Sequence, residues 1–269
     1  MENLVKIAED VLTSCLAVKT GEEVLIITDD SRKEIGEAIY EAAGNLGCEK
    51  LLMVMKEREV SGQEPPKAIA AAMKAADVVI VPTAQSGITK EMFSRGAMTA
   101  DYNEVEKLTA KVTEMLTGAS RARIEKDGYV LNININGRNG VPSPGVYREA
   151  GKCGNLPSGE AYIAPLEDGS DGEMIIDGSM VGIGKLESPL HMTISGGKLR
   201  SVTGEKSENL DILLKNEING TVCELGIGTN EAAILNGIIL EDEKVYGTVH
   251  IAFGTNTSFG GTNKAECHM

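Results

Sequence analysis

The first 120 residues alternate between two hydrophobic periods. Leu4, Ile7, Ala8, Val11, Leu12 and Cys15 recur at helical spacing and predict a helix over residues 3–18, stopped by Gly21. Glu23-Val-Leu-Ile-Ile-Thr28 is a continuous apolar run and predicts a buried strand. Asp29-Asp-Ser31 is then expected to cap a helix over 32–46, which Gly47 ends. Lys50–Met55 predicts a second strand, an Ala-rich helix follows Pro65-Pro66 up to Ala76, and Asp77–Pro82 predicts a third strand. A further helix runs from Asp101 to Gly118, with Val105, Leu108, Val112, Met115 and Leu116 on its apolar face. Strands that are apolar throughout, each followed by a helix, predict a parallel sheet covered by helices.

From Ser120 the period shortens to two. Arg121–Lys126 and Tyr129–Ile135, joined by Asp127-Gly128, predict a β-hairpin. A glycine-rich connection spans 137–154. Strands are then expected within 155–165, at 174–176, 191–194 and 199–202, with a short helix at 206–217. Two more strands are expected around Glu224 and His250. The fold class is thus α/β plus β: a parallel α/β domain over 1–119, then a mostly antiparallel, β-rich domain over 120–269.

Composition narrows the function. The net charge of −14 argues against nucleic acid as a partner, because phosphate binding needs clustered cations. Five cysteines with no C-x-x-C pair fit reduced thiols and a cytoplasmic location. No run approaches the ~18 apolar residues of a membrane span, and the first residues do not read as a signal peptide. The turn after the first strand, Thr28-Asp-Asp-Ser31, lacks both glycine-rich phosphate motifs, so no nucleotide cofactor is expected.

Candidate chemistry lies in the second half. Glu224 sits between Cys223 and Leu225, and His250 between Val249 and Ile251. A carboxylate within an apolar strand is costly unless an ionic or hydrogen-bonding partner compensates it. Glu160 and His268 complete two oxygen and two imidazole donors, a set suited to Zn, Co, Mn or Fe(II). His191, which begins an amphipathic strand, reads as structural.

Three segments carry a resemblance: Leu156-Pro-Ser-Gly-Glu-Ala-Tyr-Ile-Ala-Pro165, Glu224-Leu-Gly-Ile-Gly-Thr-Asn230 and His250-Ile-Ala-Phe-Gly254. In order and rough spacing they resemble segments of the thermophilic metallo-aminopeptidases of the aminopeptidase T type. The likeness covers most of 120–269, and the first half shares only their general layout. It implies a homodimeric metalloprotease that releases N-terminal amino acids from small peptides. It further implies two divalent ions (Zn, Co or Mn) held by Glu160, Glu224, His250 and a later His-x-Asp, whose histidine His268 matches. The chain departs from that pattern at Val245, where the aminopeptidases have a glutamate, and at Thr257, where they have a tyrosine. Gln85–Thr89 stands where a longer segment is expected. The aspartate of His-x-Asp would fall beyond Met269, so the chain is expected to be truncated relative to the family.

Two alternatives follow. One is a mononuclear Fe(II) ring-cleaving enzyme resembling 2,5-dihydroxypyridine 5,6-dioxygenase, with His250, His268 and that aspartate on iron. The valine at 245 fits one metal ion better than two. The other is a non-catalytic, metal-binding relative.

Overall fold

The computed structural model describes residues 1–60 and 62–269, in two compact units. The first comprises residues 1–104 and 145–158, the second 105–144 and 159–269.

In the first unit, β1 (Glu23–Asp29) lies between β2 (Glu49–Met55) and β3 (Val78–Ile80), parallel to both. Its apolar run is buried from Val24 onward, as a central parallel strand requires. The helices are α1 (Glu2–Asp10), α2 (Lys33–Asn45), α3 (Lys67–Met73) and α4 (Lys90–Arg95). The predicted first helix breaks into α1 and a π-helical turn at Val11–Cys15. Asp29 does not cap α2 as expected, since that helix begins at Lys33 with no side-chain cap. Its buried carboxylate instead ties two loops together, accepting from Ser31 Oγ (2.6 Å) and Arg32 N–H (3.2 Å) at Oδ1 and from Ala84 N–H (2.7 Å) at Oδ2.

α5 (Tyr102–Gly118) leads into the second unit, which holds two antiparallel sheets. One has the order β12-β11-β8-β5-β4, from β4 (Arg121–Lys126), β5 (Tyr129–Asn134), β8 (Ser170–Ile176), β11 (Leu190–Ser195) and β12 (Lys198–Gly204). The other has the order β14-β13-β7-β6, from β6 (Val141–Ser143), β7 (Glu160–Ile163), β13 (Val222–Gly228) and β14 (Val249–Phe253). Smaller pieces are the β9 (Ser179–Met180) and β10 (Gly184–Lys185) pair and two single-turn helices, α6 (Asp211–Leu214) and α7 (Ile239–Asp242).

One core draws on both sheets. Leu131, Ile133, Met192 and Ile194 come from the first, and Ala161, Ile163, Leu225 and Phe253 from the second. Leu116 of α5 joins it. Because side chains alternate across a strand, placing Ile163, Leu225 and Ile251 on the core sends Glu160, Glu224 and His250 to the opposite face of one sheet. Among the described residues no helix is long and apolar enough to cross a membrane, and all five cysteines are free thiols.

Candidate metal centre

The second sheet brings the donors together by register. Glu160 begins β7 and pairs with Gly228, while His250 on β14 pairs with Gly226. Glu224, Gly226 and Gly228 share one face of β13, and each glycine leaves room for a specific neighbour. A Cβ at Gly226 would overlap the His250 imidazole, so the ring lies across bare backbone beside Glu224. A Cβ at Gly228 would overlap the Val245 carbonyl, so the chain after α7 can press onto the strand. A β-bulge between Val222 and Glu224 separates the core-facing start of β13 from this surface.

The resulting group is compact and buried. Ligand atoms of Glu160, Glu224 and His250 all lie within 4.8 Å of one another. His250 Nε2 is 3.2 Å from Glu224 Oε1 and 3.5 Å from Glu160 Oε2. His268 approaches from the C-terminal segment, which returns to the sheet through a bridge between Gly254 and His268. Its Nε2 is 3.3 Å from Glu224 Oε2, and its Nδ1 donates to the Thr255 carbonyl at 2.9 Å. An Nδ1–H bonded to a backbone carbonyl leaves Nε2 free to act as a ligand, the usual arrangement of a metal-binding histidine. All four sequence-selected residues therefore meet at one place. His191 lies apart, near Glu173 (3.2 Å) and with its ring tilted against that of Tyr129.

Sequence reasoning missed a fifth member. Lys244 is 2% exposed, and its ammonium bonds Glu160 Oε1 at 2.8 Å and also contacts Glu243. No periodic pattern marks it, since Glu241-Asp-Glu-Lys244 has the composition of a solvated turn. Glu241 and Asp242 are nevertheless buried. Asp242 accepts from Asn236 N–H (2.7 Å) and Gly237 N–H (2.9 Å), and Glu241 accepts from Asn236 Nδ2 (2.6 Å). These bonds fasten α7, and Lys244 with it.

The electrostatics follow from burial and these contacts. Burial would raise the Glu224 carboxyl, but hydrogen bonds from His250 and His268 outweigh it and hold the group at about 2. Glu160 is raised by burial, which Lys244 only partly offsets. Burial opposes the charge on Lys244, yet Glu160 and Glu243 prevail and push it up. His268 is raised through its contacts with Cys223 and then Glu224. Burial also pushes the Cys223 thiol up and keeps it neutral, so Glu224 is the partner that can hold charge on His268. Within this group two buried atoms have no hydrogen-bond partner, Glu160 Oε2 and His250 Nδ1. An imidazole nitrogen facing carboxylate oxygens, with one of those oxygens orphaned, is a donor set that fits a cation.

Aromatic rings border the group. Phe259 packs edge-on against Tyr162 (centroids 5.3 Å apart) and His268 (6.1 Å). Phe259 also lines a recess of about 480 Å³ with Arg138, Val141 and Leu166. A second cavity of about 630 Å³ lies within the first unit, among residues such as Leu12, Ile39, Val79 and Arg148. It contains none of the candidate donors, and of the residues that border the donor group only Phe259 lines the smaller recess.

A buried carboxylate–imidazole group on the antiparallel sheet, in a chain that also carries a parallel α/β unit, defines a protein able to hold a metal ion. The sequence belongs to the NicX family, 2,5-dihydroxypyridine 5,6-dioxygenase, whose family model matches residues 3–269. Among solved structures, the 2,5-dihydroxypyridine dioxygenase from Pseudomonas putida KT2440 is similar, with a TM-score of 0.77 at 18% identity. That match covers 98% of this chain and 90% of the other. Wild-type AmpT from Thermus thermophilus is similar with a TM-score of 0.69 at 17% identity, covering 100% of this chain and 91% of the other. No curated protein matches the sequence.

The family match overturns the aminopeptidase reading, and with it the hydrolase and protease assignments. The likeness to AmpT is one of fold, which is why three short segments could resemble its relatives. The ring-cleaving alternative is the better supported of the two readings.

Proposed function

We propose that this protein is a mononuclear non-haem iron dioxygenase that opens a hydroxylated pyridine ring, with 2,5-dihydroxypyridine as the first substrate to test. One observation carries the reading in a chain of this family. The Nε2 atoms of His250 and His268 face the two carboxylate oxygens of Glu224, which makes a two-histidine, one-carboxylate donor set. Such a set leaves positions open for substrate and is the usual holder of non-haem Fe(II) in oxygenases. Bound there, iron would supply the redox and Lewis-acid chemistry that lets dioxygen add across an aromatic carbon–carbon bond.

The chain's own residues account for the rest. His268 is oriented by the Thr255 carbonyl, and His250 by the bare backbone at Gly226. Glu160, anchored by Lys244 through Oε1, presents its unpartnered Oε2 toward His250 and can receive or return a proton from a ring hydroxyl there. Tyr162 and Phe259 offer an apolar wall against which a planar ring can pack. The active species is expected to be a homodimer holding one ion per chain.

The test is anaerobic loading with Fe(II), followed by addition of 2,5-dihydroxypyridine and measured dioxygen. Uptake of one dioxygen per ring, with loss of the pyridine absorbance, is expected. Zinc-loaded protein should be inactive. Turnover independent of iron, or none with any dihydroxypyridine isomer, would sink the assignment.

A further inference from the structure

We propose that Lys244 is a built-in cation of this centre, which claims one oxygen of Glu160 and restricts the site to a single divalent ion. The inference rests on the metal-centre reading above and adds what sets the number of ions.

Three observations carry it. First, the ammonium sits 2.8 Å from Glu160 Oε1 while Oε2 is left unpaired and turned toward His250. Each oxygen thus has its own role, and a second metal ion at Oε1 would meet a fixed positive charge within contact distance. Second, Lys244 is held from both sides. Its backbone carbonyl accepts from Asn230 N–H (2.9 Å), Gly228 lets the adjoining Val245 lie against β13, and Asp242 and Glu241 fasten the turn before it. With its side chain 2% exposed, the ammonium has no route to water that leaves its carboxylates paired. Third, the ammonium contacts both Glu160 Oε1 and Glu243 Oε1, so it occupies the place between two carboxylates that a second ion beside Oε1 would need.

The experiment counts ions rather than turnover. Metal-free wild type, Lys244→Met and Lys244→Arg proteins are titrated with Co(II), with bound cobalt per chain measured after desalting. Calorimetry and the visible Co(II) spectrum follow each binding step. Wild type and Lys244→Arg should bind one ion, and Lys244→Met, which keeps the stem but loses the charge, should bind two. Two ions in wild type overturn the proposal. So does one ion in Lys244→Met at wild-type affinity. No binding by wild type or Lys244→Met instead overturns the metal-centre reading itself. Should Lys244→Met fail to fold, Glu243→Gln carries the test. It leaves Lys244 on Glu160 alone and should keep one ion, bound about tenfold more weakly, as loss of a supporting partner typically gives. A second ion, or unchanged affinity, would count against the role of Lys244.

Discussion

At Gly226 the missing side chain has a chemical purpose, because a Cβ would stand where the His250 imidazole lies. The obstructing atoms belong to a ring that can rotate, so the strand itself need not distort. Gly226→Ala should therefore separate packing from ligation. Its cost in urea unfolding should stay within about 1–3 kcal/mol, the range for an added methyl group in a packed site. Displacing His250 from Glu224 should weaken divalent-metal binding by at least about tenfold, as loss of a ligand's alignment does. Co(II) titration beside urea melts of the metal-free protein checks both. Unchanged affinity with the ring displaced would remove His250 from the ligand set.

At the scale of elements, the centre depends on a helix that cannot support itself. α7 is a single turn, far short of the length at which a helix is stable alone. Its place is fixed by Asp242 and Glu241, which gather the N–H groups of residues 236–237 and the side chain of Asn236. Asp242→Ala would leave two backbone donors unsatisfied, at about 1–3 kcal/mol each. It should also speed proteolysis within residues 231–238, as local loss of the anchoring bonds predicts. Limited proteolysis of metal-free protein, compared with Glu231→Ala as an exposed-carboxylate control, checks this. Equal cleavage of the two variants would show that α7 is held by something else. The same element marks where sequence reasoning stopped. The strands around Leu25, Leu225 and Ile251 were legible because an apolar run or alternation states how a strand is buried. Glu224 and His250 were legible because ionisable groups in apolar strands stand out, whereas Glu160 and His268 joined them through the family resemblance. Lys244 was not, since an acidic run closed by a lysine has the same composition in water as in a buried clamp, and only tertiary contacts distinguish them. Asp29 was misread for a similar reason. Its position suited a helix cap, but a long-range bond to Ala84 claimed the carboxylate. The family was misread because the quoted segments belong to a fold that this chain shares with AmpT as well as with the 2,5-dihydroxypyridine dioxygenase.

For the whole molecule, a buried cluster of carboxylates paired with His and Lys side chains makes stability depend on pH, and Glu224 sets one part of that dependence. Its carboxyl lies at about 2 in the folded protein against an ordinary value of 4.5, so folding favours its ionised form. A depressed carboxylate contributes stability that is fully present above the unfolded value and is lost as pH falls toward the folded one. The shift corresponds to about 3 kcal/mol at neutral pH, at roughly 1.4 kcal/mol per unit. Glu160 acts in the opposite sense, because its raised carboxyl makes ionisation in the folded state unfavourable. Wild-type pH dependence alone therefore mixes the two, and comparison with Glu224→Gln separates them. In metal-free protein, the stability gap between wild type and Glu224→Gln should be widest above about pH 5 and narrow steadily as pH falls toward about 3. Saturating Co(II) should widen the gap at neutral pH, because an ion at 100 times its Kd adds about 2.7 kcal/mol to whichever protein binds it. Urea unfolding across that pH range, with and without metal, reads all of this. A gap that is constant with pH would mean that Glu224 owes its place to packing, and a gap insensitive to metal would remove it from the ligand set.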